Sequence, residues 1–456
     1  KLEQKEEKEE EETYKKVSQR LVKVTNYDDC TNYEDSGKGF PYHKYYKSEL
    51  DELISKREWD KALERLRQNK TVMLKDAGAC GFDSGTDDDE NEEENFEIQE
   101  VGFVNELGAL PLHQALYTEE EAPPDIFIKE LIKRGMTFQS VEKRHRMSRL
   151  LPLQIACSPG GVDKWKRPAR DGSSEDKIIR HLIKASPESL VATDNTMSED
   201  CGGPPLQLLM VHNPGVRLFK FIMETLEENG YVQQALSRPD PDGDLPLHAA
   251  VKNCVSHDIT VKIIESNKKA VETATNAGMY PLHYAALWGC HEDVLDELLD
   301  SHFTALQKRT KKDYGWDTPI HLAFHSKDNI ERWMLSDSDD NGEGNNNNAV
   351  MRPGLMVDAM LREFHARLKE TYEQGLGDKK STKRKRTTQH SHAFTATQTL
   401  CKGKKYRNNS NKTILEQVKK CKEKILSQPN GRPTQDFQNI YLMIQEIVDG
   451  YDVFQR

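Results

Sequence analysis

Residues 278–299 read GMYPLHYAALWGCHEDVLDELL, and the fold turns on how this stretch is understood. Its Pro-Leu-His core, or a near relative, occurs five more times: GALPLHQAL from Gly108, RLLPLQIAC from Arg149, GGPPLQLLM from Gly202, GDLPLHAAV from Gly243 and WDTPIHLAF from Trp316. The prolines (Pro111, Pro152, Pro205, Pro246, Pro281 and Pro319) are separated by 41, 53, 41, 35 and 38 residues. Second apolar helical patterns follow at Asp125 to Gly135, Asp176 to Ala185, Val216 to Leu226, Ile259 to Ser266 and Glu292 to Ser301. Recurrence at this length marks a stacked array of helical pairs, because a single pair cannot bury its own apolar face.

Each position in the phrase has a physical task. The Gly three residues before Pro, present in four of the six copies, suits a tight turn that needs positive φ. Pro fits the first helical turn, where its missing N–H would have lacked a partner anyway. The Leu or Ile after it faces the next unit, and the Ala just beyond His lets two helices approach closely. Gly289 stands where a first helix must stop, and Gly135 where a second one ends.

These residues resemble the ankyrin repeat, whose consensus is close to G-x-T-P-L-H-x-A-A-x-x-G followed by a helix ending L-L-x-x-G. The copy at 278–299 departs only in Tyr280, where the consensus has Thr; Thr318 restores that Thr but follows a Gly one residue too distant. The resemblance covers roughly residues 45 to 336, counting the helix pair of Tyr45 to Gln68, broken near Lys56 to Glu58, as a capping unit without the phrase. It implies an all-α, ankyrin-type α-solenoid of stacked helix-turn-helix repeats with short hairpin turns. The second and third copies carry Gln154 and Gln207 where the others have His.

The rest of the chain divides by composition. Of its 456 residues 36% are hydrophobic and 31% charged, too polar for the whole length to bury a core. Residues 1–44 read as a disordered charged segment, 45–70 as the capping pair and 71–107 as an acidic flexible loop, in which Asp87 to Glu94 has seven acids in eight positions. That run either stays solvated or docks on a basic surface. Residues 108–336 hold the six copies, 337–350 form an Asp/Asn/Gly linker and 351–456 a basic helical region. The net charge of −11 is split accordingly: 351–456 carry 21 Lys and Arg against 11 Asp and Glu, which leaves −21 on residues 1–350. Helical patterns in the basic region lie near Leu355 to Tyr372, Thr413 to Leu426 and Asp436 to Val453. The apolar face of the last packs on the end of the stack, on the Thr413 helix or on a partner.

Several features invite a chemical reading. His113, His248, His283 and His321 recur at one position, but stacked helices lie about 8–10 Å apart while zinc–nitrogen bonds are about 2.0–2.1 Å, so one ion cannot bridge successive units. The resemblance implies that this His bonds backbone in the turns. Asp337 to Asn348 begins like a calcium loop, then places Gly344 and Asn348 where an aliphatic residue and a bidentate Glu are required. No metal and no cofactor is expected. The eight cysteines are never closer than 20 residues, which favours a reducing, intracellular setting, cytoplasmic or nuclear. No apolar run approaches the roughly 18 residues of a membrane helix. No nucleotide, hydrolase, metalloprotease or kinase motif is present, so no enzyme activity is expected.

The expected function is a non-catalytic scaffold that binds a protein partner on the concave face of the stack. In the family, contacts come from hairpin tips and the inner helix. Carried over by position, these are Tyr117, Asp244, Lys252 and Met279, then Trp288, Trp316 and His325. The two Trp are the favoured anchors, being either exposed contacts or buried between repeats. The basic cluster of Lys379, Lys380, Lys383, Arg384, Lys385 and Arg386 reads as a nuclear-import signal, a nucleic-acid contact or a solvated tail. The alternative function is therefore a nuclear regulator that touches nucleic acid through Lys379 to Arg407.

Overall fold

The computed structural model describes the chain from residue 48 onward except 76–94, 158–169, 193–202, 325–332, 334–350, 375–382 and shorter loop pieces. The acidic run at 87–94, the calcium-loop-like stretch, His325, Lys379 and Lys380 lie outside the described residues. Two compact units divide at Pro152/Leu153.

In the first unit, Ser48 caps α1 (Glu49–Ser55) by accepting the Asp51 N–H, and the chain turns through Arg57 at φ 59° into α2 (Trp59–Arg67). The ends of the expected acidic loop pair as an antiparallel hairpin, β1 (Thr71–Lys75) with β2 (Asn95–Gln99), Thr71 facing Gln99. Then come α3 (Pro111–Leu116) and α4 (Asp125–Gly135), with Leu50, Ile54, Phe127 and Leu131 fully buried. Arg65 holds the buried Glu100 carboxylate at 2.8 Å.

The second unit is the longer stack. From α5 (Pro152–Cys157) the chain runs through α6 (Ser174–Ala185), α7 (Pro205–Val211), α8 (Val216–Glu228), a short α9 (Val232–Leu236), α10 (Pro246–Lys252), α11 (His257–Ser266), α12 (Pro281–Trp288), α13 (Glu292–His302) and α14 (Pro319–Ala323). The first helices α7, α10, α12 and α14 pack in series, as do the second helices α8, α11 and α13. Ala250, Ala285 and Ala323, each four residues after its Pro, have no exposed surface; only a methyl group fits between neighbouring helices there.

Within the second unit the hairpin turns before the first helices, the fingers, bond one another from repeat to repeat along one edge. The Asn276 N–H donates to Asp242 O at 2.9 Å, Lys311 N–H to Ala277 O at 2.8 Å and Asn409 N–H to Gly315 O at 2.8 Å. Gly278 has φ +76°, and a Cβ there would stand 2.9 Å from Lys311 N. Gly278→Ala is therefore expected to cost about 1–3 kcal/mol, from left-handed strain plus a displaced finger bond. Urea unfolding would show it as a lower midpoint at unchanged m-value, and an unshifted midpoint would contradict this account.

Residues 351–456, set apart by composition as a separate basic region, continue the stack. α15 (Pro353–Gln374) packs on α13 in the row of second helices, α16 (Lys383–Lys402) lies against α15, α17 (Ile414–Leu426) packs on α14 and α18 (Gln435–Asp449) on α15. On the apolar face of α18, Phe437, Ile440, Ile444 and Ile447 are buried, while Tyr441 is half-buried beneath Lys422. Trp333 stacks on Phe324 at 5.2 Å and meets the Phe437 edge at 5.3 Å. The end of the stack and the Thr413 helix thus share that face.

The register shows that this segment is a seventh unit. Asn408 N–H donates to Lys412 O and Asn411 N–H to Asn408 O, the same two bonds that close the Thr275–Met279 and Asp240–Asp244 fingers. Asn411 has φ +56°, as Gly243 and Gly278 are positive in their fingers. Thr413 caps α17 and Glu416 accepts the Thr413 N–H at 2.7 Å.

Candidate interaction surface

The recurring His is a two-sided connector. His113 Nδ1 accepts the Leu110 N–H at 3.1 Å, His248 that of Leu245 at 3.0 Å and His283 that of Tyr280 at 3.1 Å. With Nδ1 accepting, the proton sits on Nε2, which faces the next finger: His113 toward Lys143 O at 2.9 Å, His248 toward Thr273 O at 3.2 Å and His321 toward Lys412 O at 3.3 Å. His283 is turned toward the Lys308 and Asp317 carbonyls without closing a bond of ordinary geometry. Burial pushes the imidazoles of His113, His248 and His283 down, to about 4 at the first two and about 3 at the third. They are neutral structural groups, and among the described residues no group of three or more His, Cys, Asp or Glu is placed to hold a metal.

The Gln copies keep the donating half of this device. Gln154 donates to Gly203 O at 3.3 Å, and Gln207 donates to Arg238 O at 3.1 Å and to Asp244 O. The residue capping the Gln207 helix is Pro204, which has no N–H to satisfy. Glu416 keeps only the accepting half. A carboxylate cannot donate onward, so the relay from unit to unit ends there.

The residues mapped as contacts fall into different environments. Tyr117, in the first unit, is half-buried with its ring edge-on to His145 at 5.1 Å. Asp244 is 4% exposed and accepts the Tyr284 O–H at 2.7 Å, with Lys252 Nζ 3.9 Å away. Desolvation raises its pKa, against the opposing Tyr284 bond and Lys252 charge. It is an internal group, offering little to a partner. Lys252 is exposed and lies over the Tyr284 ring at 5.9 Å, and Met279 is half-buried. Trp288 and Trp316 remain 39% and 38% exposed. Lys383 to Arg386 open α16.

Trp316 occupies the finger position where Gly243 and Gly278 stand, at φ +57°. A bulky residue in the left-handed region costs about 1–2 kcal/mol. Its finger is longer than the others: Thr310 N–H reaches Asp317 O across seven residues. The extra length presents Tyr314, 59% exposed, beside Gly315 at φ +102°. Arg309 lays its guanidinium 3.8 Å over the Trp316 ring. Sequence mapping found Trp316 but missed Tyr314 and Arg309, although the finger's length and its KRTKKDYGW composition signalled them.

Fingers, first helices and second helices stacked in parallel rows define an ankyrin-type solenoid. Comparison with solved structures finds the ankyrin repeat domain of human ASB11, with TM-score 0.37 and 15% identity over 60% of this chain and 91% of that one. It also finds one chain of the complex between a predatory endopeptidase from Bdellovibrio bacteriovorus and an immunity protein, with TM-score 0.33 and 12% identity over 62% of this chain and 95% of that one. No family model and no curated protein matches the sequence.

Proposed function

We propose that this protein is a non-catalytic scaffold whose second unit binds a protein partner along its fingers and first helices, the concave face of an ankyrin stack. The supporting observation is Trp316: a large aromatic side chain is kept exposed at a backbone position that disfavours it, where neighbouring fingers use glycine. Strain of this kind marks positions held for a purpose other than stability, and exposed Trp is enriched among residues that dominate interface energies. No described helix is long and apolar enough to cross a membrane.

Trp316→Gly separates the two roles of the residue. It is expected to raise stability by up to about 1 kcal/mol, because glycine relieves the left-handed backbone. Combined with Trp288→Ala, it is expected to remove partners captured from a lysate by the full chain. A partner set unchanged by the double substitution, in protein that still melts cooperatively, would remove both Trp residues from the surface.

A further inference from the structure

We propose that the seventh unit carries a carboxylate-binding site, built by Lys412 and Lys420 with Arg407 and Lys424 beside them, that docks an acidic segment of a protein partner. This rests on the scaffold reading and names the partner's chemistry.

Repeat register carries the inference. Lys412, two residues before Ile414, holds the place that Asp244 holds before Pro246; Lys420, six residues after Ile414, holds that of Lys252 after Pro246. In the fourth unit these two side chains form an ion pair at 3.9 Å, and Tyr284 O–H donates to the same Asp244 carboxyl. The fifth unit has Met279 and Leu287 there, an apolar pair. In the seventh unit both members are cations, so the place of the carboxylate is taken by a second ammonium.

Cations outnumber carboxylates around this pair. Lys412 stands beside Lys420 and Lys424, and its pKa lies below the usual lysine range through partial desolvation and then through those two like charges, with Glu423 opposing. Glu416 is engaged by the Thr413 N–H at 2.7 Å and by Arg407 at 3.5 Å. Asp317, on the preceding finger, is buried and accepts from Asn408 at 2.9 Å. An incoming carboxylate would relieve the repulsion between the lysines, as Asp244 answers Lys252 inside the fourth unit.

The adjoining finger supplies the apolar half of the site. Asn409 N–H bonds Gly315 O, which brings the Arg407–Lys412 finger against the one that exposes Tyr314 and Trp316 along with Lys311 and Lys312. A segment with acidic residues around an apolar side chain matches both halves. A nucleic-acid backbone matches less well, since Asp313, Glu416 and Glu423 interrupt the basic surface and would repel a continuous line of phosphates.

The test uses the full chain and a short labelled peptide rich in Glu and Asp around a central Leu-Trp pair. Its Gln/Asn counterpart and a single-stranded oligonucleotide of matched charge serve as comparisons, all followed by fluorescence anisotropy at low and physiological salt. The acidic peptide should bind and the amide peptide should not. Lys412→Asp, which rebuilds the fourth unit's pair within the chain, should weaken binding about tenfold or more, with no fall in melting temperature. Lys420→Gln should weaken it in the same direction, and Lys220→Gln on α8 should leave it unchanged. No binding at low salt, equal affinity in the Lys412 and Lys420 variants, or tighter binding of the oligonucleotide would each overturn the proposal. Failure of the peptide while partner capture still depends on Trp288 and Trp316 would sink this site alone; failure of that capture would sink the scaffold reading.

Discussion

Moving the protein from pH 7.5 to pH 4.5 is expected to lower the stability of the second unit by on the order of 5 kcal/mol, through His248 and His283 alone. Both imidazoles are buried and neutral, with folded pKa values near 4 and 3 against an unperturbed 6.5. The unfolded chain takes up protons as pH falls through about 6.5, while the folded chain refuses them until much lower. The stabilisation is therefore complete above 6.5 and is lost as pH falls toward 3–4. Because whole domains are commonly stable by only about 5–15 kcal/mol, this loss should bring the unit close to unfolding. Denaturant titrations at the two pH values measure it, and a difference below about 1 kcal/mol would show that the imidazoles titrate freely in the folded state.

The first unit should respond in the opposite sense at Asp51. Its carboxylate is 4% exposed, neither oxygen has a hydrogen-bond partner among the described residues, and burial, with the Glu100 charge adding to it, pushes its pKa from 3.8 up to about 7. Between those values the folded chain keeps a proton that the unfolded chain has given up, so stability falls as pH rises and the full cost is present above 7. Asp51→Asn, which fixes the uncharged state, is expected to stabilise this unit by on the order of 4 kcal/mol at pH 8 and hardly at all at pH 4. Trp59 packs 5.4 Å from Phe127 in the same unit, so its fluorescence can follow unfolding there. An equal gain at both pH values would mean that charge was not the cause.

The six Pro-Leu-His copies were legible because each keeps a residue whose backbone chemistry is distinctive. Pro fixes φ at a helix start, and His meets one N–H and one carbonyl. The seventh unit was hidden because it solves the same problems with other residues: Ile414 for Pro, Glu416 for His and Asn411 for Gly. Only the finger's hydrogen bonds and the positive φ of Asn411 reveal the equivalence. α16 left no periodic signal, since its buried positions include Ala393, Thr397 and Cys401, small or weakly apolar side chains. Asp244 maps to a contact only through the hairpin-tip position that the resemblance assigns it, whereas here Tyr284, 40 residues further on, bonds its buried carboxyl. That contact depends on which side chain the next unit presents, and no pattern within one repeat contains it.

The row of fingers also has a mechanical consequence. Helices of adjoining units are joined by packed apolar side chains, but the backbone bonds between neighbouring fingers are sparse: Asn276 to Asp242, Lys311 to Ala277 and Asn409 to Gly315. Such a bond is worth about 1 kcal/mol net, a few thermal quanta, while the helical side resists separation over its whole contact area. Bending therefore concentrates at the finger edge, which acts as the compliant side of a leaf spring with the helices as its stiff spine. The same junctions are crossed by the buried His248 and His321, which reach Thr273 O and Lys412 O, so a change of curvature there would be felt by the core as well as by the edge.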